Sequence, residues 1–289
     1  MLLLLLQLIA SGADSTARAL AAECRQPRAG WIFCDDFDED RLDRYFEYDA
    51  RRGSFVRLPG LGVGGSSAMR ARFSAGQVEA GSLHLVFGKT PQRRFRPVDG
   101  GTAVYREIFW RFYLKNQPGW TGGGGNKLTR AFSFASPGHW GQSMFAHVWS
   151  GGGGNNHLVL DPASGTDPAG RLRTRRYNDF PNMRWLGVAR GMTPIFDSAH
   201  VGAWYCIEAH VKLNGPGRSD GVFELWINNQ LEATRTGLNW LGNLVEYGIN
   251  AVYLENHWSP SNGPGSPVAQ ERYFDNLVVS TRRIGCNEK

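Results

Sequence analysis

Apolar and polar residues alternate with a period of two in short segments from Trp31 to Ile284, and clusters of Gly, Pro, Asn and Asp separate those segments. A period of two is the pleat of a strand, whose successive side chains point to opposite faces. It predicts strands at 31–37, 67–73, 82–88, 103–114, 130–135, 143–149, 156–160, 203–213, 221–228, 231–235, 249–257 and 272–280. No long helical period and no internal repeat interrupts the series, which argues against a βαβ architecture and predicts an all-β sandwich. The stretches 115–127 and 150–200 are the least strand-like. Long loops of that kind are where a sandwich builds its binding surfaces.

The clearest hairpin runs from 203 to 235. Tyr205, Ile207, Ala209, Val211 and Leu213 fall on one face, with Glu208, His210 and Lys212 on the other. A glycine-rich turn follows, and Phe223, Leu225 and Ile227 continue the apolar side as far as the Asn228-Asn229 turn. The same alternation turns Ile108, Trp110, Phe112 and Leu114 inward and Tyr105, Glu107, Phe109, Arg111 and Tyr113 outward. Rings and charged forks in one row suit a sugar chain, since rings stack on pyranose CH faces while forks hold hydroxyls and carboxylates. The plain alternative is a solvated outer sheet with cross-strand ion pairs. Phe145, His147 and Trp149 share a face in the same way. Tyr105, Glu107, Arg111, Tyr113, Arg130, His147 and Trp149 are therefore the candidate substrate-binding residues.

Composition narrows the picture. A hydrophobic content of 42% fills a core, and a charged fraction of 20% is too low for a disordered chain. A single domain over 22–289 is expected, because sandwiches commonly exceed ~200 residues as one unit. Met1 to Ala10 is an apolar run too short for a bilayer but of signal-peptide length, and Ala19-Leu20-Ala21 supplies a cleavage site. The reading is a leader over 1–21 and a secreted, extracellular or periplasmic, protein with no membrane contact in its mature form. Cysteines 24, 34, 206 and 286 then suggest disulfides. Of three possible pairings, Cys24 with Cys34 and Cys206 with Cys286 is favoured, the first closing a short loop and the second stapling the C-terminal tail.

The net charge of +6 favours an acidic partner. Basic residues are interleaved with acidic ones and no nucleic-acid motif is present, so an acidic polysaccharide is expected rather than nucleic acid. The chain is expected to act as a monomer. No cofactor is required by the residue pattern, for the seven histidines form no HExxH pair and the cysteines no zinc cluster. A structural calcium site is an option if Asp35-Asp36-Phe37-Asp38 meets Asp275-Asn276 through paired terminal strands, the alternative being ordinary turn and edge acids.

Lys127 ends a glycine-rich loop, Trp120 to Asn126, expected to be flexible. The loop is not a phosphate cradle, because Leu128 stands where that motif needs a hydroxyl. The E-x-D-x-x-E strand of sandwich glucanases and the G-x-S-x-G serine elbow are both missing, which sets hydrolysis aside. What survives is β-elimination on a uronic-acid polymer, in which a base removes the C5 proton and an acid protonates the departing O4.

The runs Tyr105 to Lys115, Gly122 to Leu128, Val211 to Gly217 with Asp220-Gly221, and Tyr273 to Ser280 together resemble polysaccharide lyase family 14 and the heparin-lyase-like jelly rolls, over roughly residues 65–285. The resemblance implies a concanavalin-like jelly-roll β-sandwich of two antiparallel sheets. In the family a Gly-Gly-Lys-Leu segment supplies the catalytic lysine, which maps to Lys127. A later Tyr-x-Tyr strand falls near His157 and Val159, so its tyrosines are absent here and His157 is the candidate replacement. The resemblance also carries Arg111 and Tyr113 to the groove strand. A non-catalytic carbohydrate-binding lectin or laminin-G-like module is the competing reading, and it is preferred if Lys127 points away from the face that carries Arg111 and Tyr113.

Overall fold

The computed structural model describes residues 23–151, 155–259 and 263–287. The proposed leader and its cleavage point lie outside these residues. In chain order the strands are β1 (Trp31–Asp35), β2 (Glu47–Asp49), β3 (Phe55–Leu58), β4 (Ala68–Phe73), β5 (Glu79–Val86) and β6 (Glu107–Asn116). They continue with β7 (Asn126–Phe134), β8 (Gln142–Ser150), β9 (His157–Ser164), β10 (Arg184–Trp185) and β11 (Ala189–Pro194). The last five are β12 (Tyr205–Lys212), β13 (Gly221–Ile227), β14 (Gln230–Leu238), β15 (Ala251–Trp258) and β16 (Gln270–Ser280). Helix among the described residues is limited to short 3-10 turns, and no helix there is long and apolar enough to cross a membrane.

The strands form two antiparallel sheets of eight. The first runs β14-β13-β12-β6-β16-β4-β3 with β1 added beside β16; the second runs β10-β9-β8-β7-β15-β5-β2 with β11 added beside β9. This is the expected jelly-roll sandwich. Ile108, Trp110, Phe112 and Leu114 of β6 face inward, as their spacing predicts, and meet Leu128, Ala131, Ala146 and Val148 of the second sheet in one buried core. The Trp110 indole N–H donates to the Thr129 hydroxyl across the sandwich at 3.1 Å. A fully buried side chain of this kind contributes about 1.5–3 kcal/mol, and interlocking rows of them fix the strand register.

All twelve expected strand segments are present, and four strands had not been expected. β2, β3 and β10 are too short to display a period, and β11 has no apolar alternation. It is held instead by Glu232, whose carboxylate accepts hydrogen bonds from the Met192 and Thr193 backbone N–H groups at 2.7 Å each. Both favoured disulfides are formed, Cys24–Cys34 and Cys206–Cys286. β1 does pair with β16, which brings the two acidic runs into one neighbourhood. Their carboxylates, however, are taken by donors. Arg41 lies 3.3 and 2.8 Å from Asp35 and Asp36, while Asp275 accepts from the Val63 N–H and the Ser66 hydroxyl. A guanidinium between two of the acids is a poor fit to calcium, and no group of three or more metal-ligand side chains exists among the described residues.

Candidate functional site

The outward row of β6 belongs to the first sheet and is closed on itself. Tyr105 precedes the strand and donates to Asp99 at 2.6 Å, its ring against Phe87. Glu107 and Glu224 flank His210 at 2.8 and 2.7 Å, and the imidazole stacks on Phe109 with ring centres 4.1 Å apart. Arg111 is wholly buried and bonded to Glu23 at 2.6 Å. Tyr113 is buried beside Cys206, where the disulfide holds the C-terminal tail over the strand. Alternation placed Glu107, Arg111 and Tyr113 correctly on the outer face, but Tyr105 packs against the core and the chain termini cover the Arg111 and Tyr113 end of that face. The expectation that Tyr105, Glu107, Arg111 and Tyr113 line a groove with Lys127 is therefore corrected: Lys127 is on the other sheet.

The outer face of the second sheet carries a different row. Register pairs Glu47 with His84, His84 with Tyr253, Tyr253 with Arg130, Arg130 with His147 and His147 with Asp161, one residue from each of six neighbouring strands. Cross-strand partners of this kind sit close enough to interact directly. His84 stacks on Tyr253 with ring centres 3.6 Å apart. Arg130 is fully buried and grips Glu255 at 2.8 and 2.9 Å through two nitrogens. It also donates to Asn178 at 2.6 Å and to the Tyr177 hydroxyl. Arg130 is thus a bracket for other groups, not a residue that touches substrate. His147 likewise has no exposed surface. Its ring lies 4.2 Å from Trp149 and beneath Phe180 and Trp185, and burial pushes its pKa well down, leaving it neutral. Trp149 is half-buried and donates its indole N–H to Asp161 at 2.9 Å.

Tyr177 and Asn178 come from the long segment between β9 and β10. Two contacts moor it to the start of β8: the Thr174 hydroxyl donates to the Gln142 carbonyl at 2.7 Å, and the Asn178 N–H donates to the Gln142 side chain at 3.0 Å. Asn178 takes a φ of +54°, which asparagine tolerates, and this turn presents Tyr177 to Arg130. Burial pushes the Tyr177 pKa up, against the pull of Arg130, so the phenol keeps its proton at neutral pH. Since its oxygen accepts from Arg130, that proton is left to be donated elsewhere.

Lys127 opens β7 in register with Trp149 on one side and His257 on the other. The glycine loop before it is fixed rather than flexible. Trp120 donates to the Gly123 carbonyl, Arg272 to the Gly124 carbonyl, both at 2.6 Å, and Ser259 to that of Gly125 at 2.9 Å. A Cβ at Gly124 would collide with the Ser150 carbonyl, and one at Gly125, where φ is +83°, would lie 2.8 Å from the Trp258 ring. Glycine is needed here for close packing. The Lys127 side chain makes no ion pair or hydrogen bond among the described residues. Burial lowers its pKa, with Arg130 adding to the effect and Glu255 and Glu79 opposing it.

A cavity of about 200 Å³ opens on Lys127, and Tyr177, Asn178, His84, Glu255, Glu79 and His257 are among its lining residues. His157 is not. It stands at the start of β9, two strands away from β7 and one same-face residue beyond the Val159 that pairs with Trp149. Strand spacing puts it about 10 Å to the side of Lys127, so the structure does not bring the two sequence-predicted catalytic residues together. Tyr177, Asn178 and His84 were missed. The first two lie in the 150–200 stretch that was marked only as a binding-surface loop, and His84 is one polar position in a predicted strand.

Solved structures that share this fold include two polysaccharide lyases. One is a marine PL-14 alginate lyase from Aplysia kurodai, with a TM-score of 0.61, 13% identity, and coverage of 88% of this chain and 100% of that chain. The other is an endo-β-1,4-glucuronan lyase from the fungus Trichoderma reesei, with a TM-score of 0.56, 11% identity, and coverage of 87% and 96%. At such identities the likeness is one of fold. No family model and no curated protein matches the sequence.

Proposed function

We propose that this protein is an exported polysaccharide lyase that cleaves a uronate-containing polymer by β-elimination: the separation of Lys127 from Arg111 and Tyr113 would by itself favour a binding module, but Lys127 has a cavity of its own on the second sheet, shared with Tyr177. The observation that carries the reading is an ammonium, Lys127, that burial has made less basic and that has no partner among the described residues, facing one cavity with the Tyr177 phenol. In its neutral form Lys127 takes the C5 proton of the uronate. The C5–H electron pair becomes the C4–C5 double bond as the C4–O4 bond breaks, and the departing O4 takes the Tyr177 proton. Arg130 orients Tyr177 and Asn178 and engages the Glu255 carboxylate that shares the cavity with the lysine. The Asn178 side-chain oxygen accepts from Arg130, which leaves its amide N–H groups to hydrogen-bond the C6 carboxylate and stabilise charge developing there. The leader-like start of the sequence and two disulfides support export.

Absorbance of the unsaturated product, measured on alginate, glucuronan and glycosaminoglycans, tests the reading. Lys127→Ala is expected to reduce turnover about 10²–10⁴-fold and Tyr177→Phe about 10²-fold, while His157→Ala leaves it within about threefold. Binding to these polymers with no unsaturated product from any of them would make the protein a carbohydrate-binding module instead.

A further inference from the structure

A larger cavity adjoins the one at Lys127, and Tyr177 and His84 line both. It encloses about 480 Å³, within the ~300–1,000 Å³ range of small-ligand sites. Trp140, Tyr177 and Tyr253 give it aromatic walls, and Arg175 and Arg176 give it a cationic rim. The Arg175 guanidinium has no acidic partner among the described residues. Arg176 reaches Asp179 only at 3.5 Å and keeps 72% of its side chain exposed. Glu47, the single acid in the lining, is engaged by His84 at 2.8 Å. Tyr253 is 1% exposed, yet its hydroxyl has no hydrogen-bond partner among the described residues. A buried polar group without a partner marks a place where a ligand or water completes the set.

The two cavities differ in charge. Asp49, Glu79 and Glu255 line the smaller one and offset its lysine, whereas the larger one is cationic. Attraction for an anionic chain therefore resides beside the reacting unit rather than at it. Arginine forks hold carboxylates and sulfates in two-point contacts, and aromatic walls hold the sugar ring.

We propose that the Arg175–Arg176 cavity takes the oxyanion of the sugar next to the one that faces Lys127, so that the enzyme selects polymers charged on consecutive units. The inference rests on the lyase reading of the Lys127 cavity. The oxyanion is a carboxylate or a sulfate ester, which present the same acceptor oxygens. Both arginine heads are exposed while their backbone is moored through Thr174, Asn178 and Asp179, so truncating them spares the fold.

The test compares the wild type with the Arg175→Ala/Arg176→Ala variant on a homopolyuronate, on a polymer alternating uronate with sulfated sugar, and on one alternating uronate with neutral sugar. KM is expected to rise about 10–100-fold on one or both of the first two, with kcat within about threefold and no change on the third. Which of the first two responds separates carboxylate from sulfate. An unchanged KM on every polymer that is cleaved overturns the proposal. If the wild type cleaves none, the lyase reading has failed separately, and calorimetric titration with homopolyuronate and sulfated oligosaccharides decides. Binding lost in the double variant upholds the anion site; binding that is equal in both proteins, or absent from both, overturns it. Matching melting temperatures establish that the variant is folded.

Discussion

The two outer faces of the sandwich carry similar residue types and differ in what covers them. On the first sheet Glu107, Phe109, His210 and Glu224 form a packed patch, and Arg111 is sealed under Glu23. The Cys206–Cys286 disulfide ties the C-terminal tail to β12, and that tail meets this face at Tyr113 and Glu208, which accepts from the Ile284 N–H at 2.7 Å. On the second sheet a loop stands over the row and leaves two cavities, and among the described residues the Lys127 ammonium in one is unpaired and the Tyr253 hydroxyl in the other's lining is unbonded. Rings and charges in one row are thus compatible with a wall as much as with a site. Buried polar atoms without a partner occur on both faces, those of Arg111 and Tyr113 included, so it is open volume beside such a group that separates a site from a wall, because there a ligand can offset its desolvation.

Lys127→Arg is the harshest test of this contrast. The charge is kept, but a guanidinium does not release its proton at accessible pH. Turnover is expected to fall by about 10³-fold or more with the melting temperature nearly unchanged. Retained turnover would mean that Lys127 acts as a fixed charge and that the base is elsewhere. On the opposite face the effect should be on stability alone. Glu23→Gln leaves the buried Arg111 without its counter-ion, and breaking a buried pair costs about 3–5 kcal/mol. Denaturant unfolding should show that loss, while activity per folded molecule stays the same.

That division also explains what was legible in the sequence. Alternation reports which side of a strand a residue takes, so Ile108, Trp110, Phe112 and Leu114 were placed in the core and Glu107, Arg111 and Tyr113 outside it. It does not report what lies over that side. Coverage of Arg111 by Glu23 joins residues 88 apart in the chain, and the row Glu47, His84, Tyr253, Arg130, His147 and Asp161 draws one residue from each of six strands. Lys127 was found through a local motif. Tyr177 had no such motif, since its role depends on a loop moored to Gln142 and on a guanidinium 47 positions away.

The covered face carries a pH signature as well. Burial raises the Asp275 pKa to about 7, against hydrogen bonds from Val63, Ser66 and Asn276 that pull it down. The folded protein therefore holds a proton that the unfolded chain has lost above about pH 4. Stability falls as pH rises from about 4 to 7 and levels off above that, by on the order of 2–4 kcal/mol from this group. Asp275→Asn should flatten the stability-versus-pH profile in that window relative to the wild type. A parallel profile would show that Asp275 ionises normally in the fold.

The smallest expected effect belongs to Glu107→Gln. Glu107 keeps 44% of its side chain exposed, and its bond to His210 resembles an exposed surface pair, which contributes about 0–1 kcal/mol. Glutamine still offers an oxygen to the imidazole, and Glu224 remains on the other ring nitrogen. Both the melting temperature and KM for any cleaved polymer should therefore stay close to wild type. This near-silence is informative because Glu107 stands in the very row that sequence alone marked for substrate. A tenfold rise in KM with an unchanged melting temperature would return the sugar chain to the first sheet and leave the Lys127 cavity without a role in holding it.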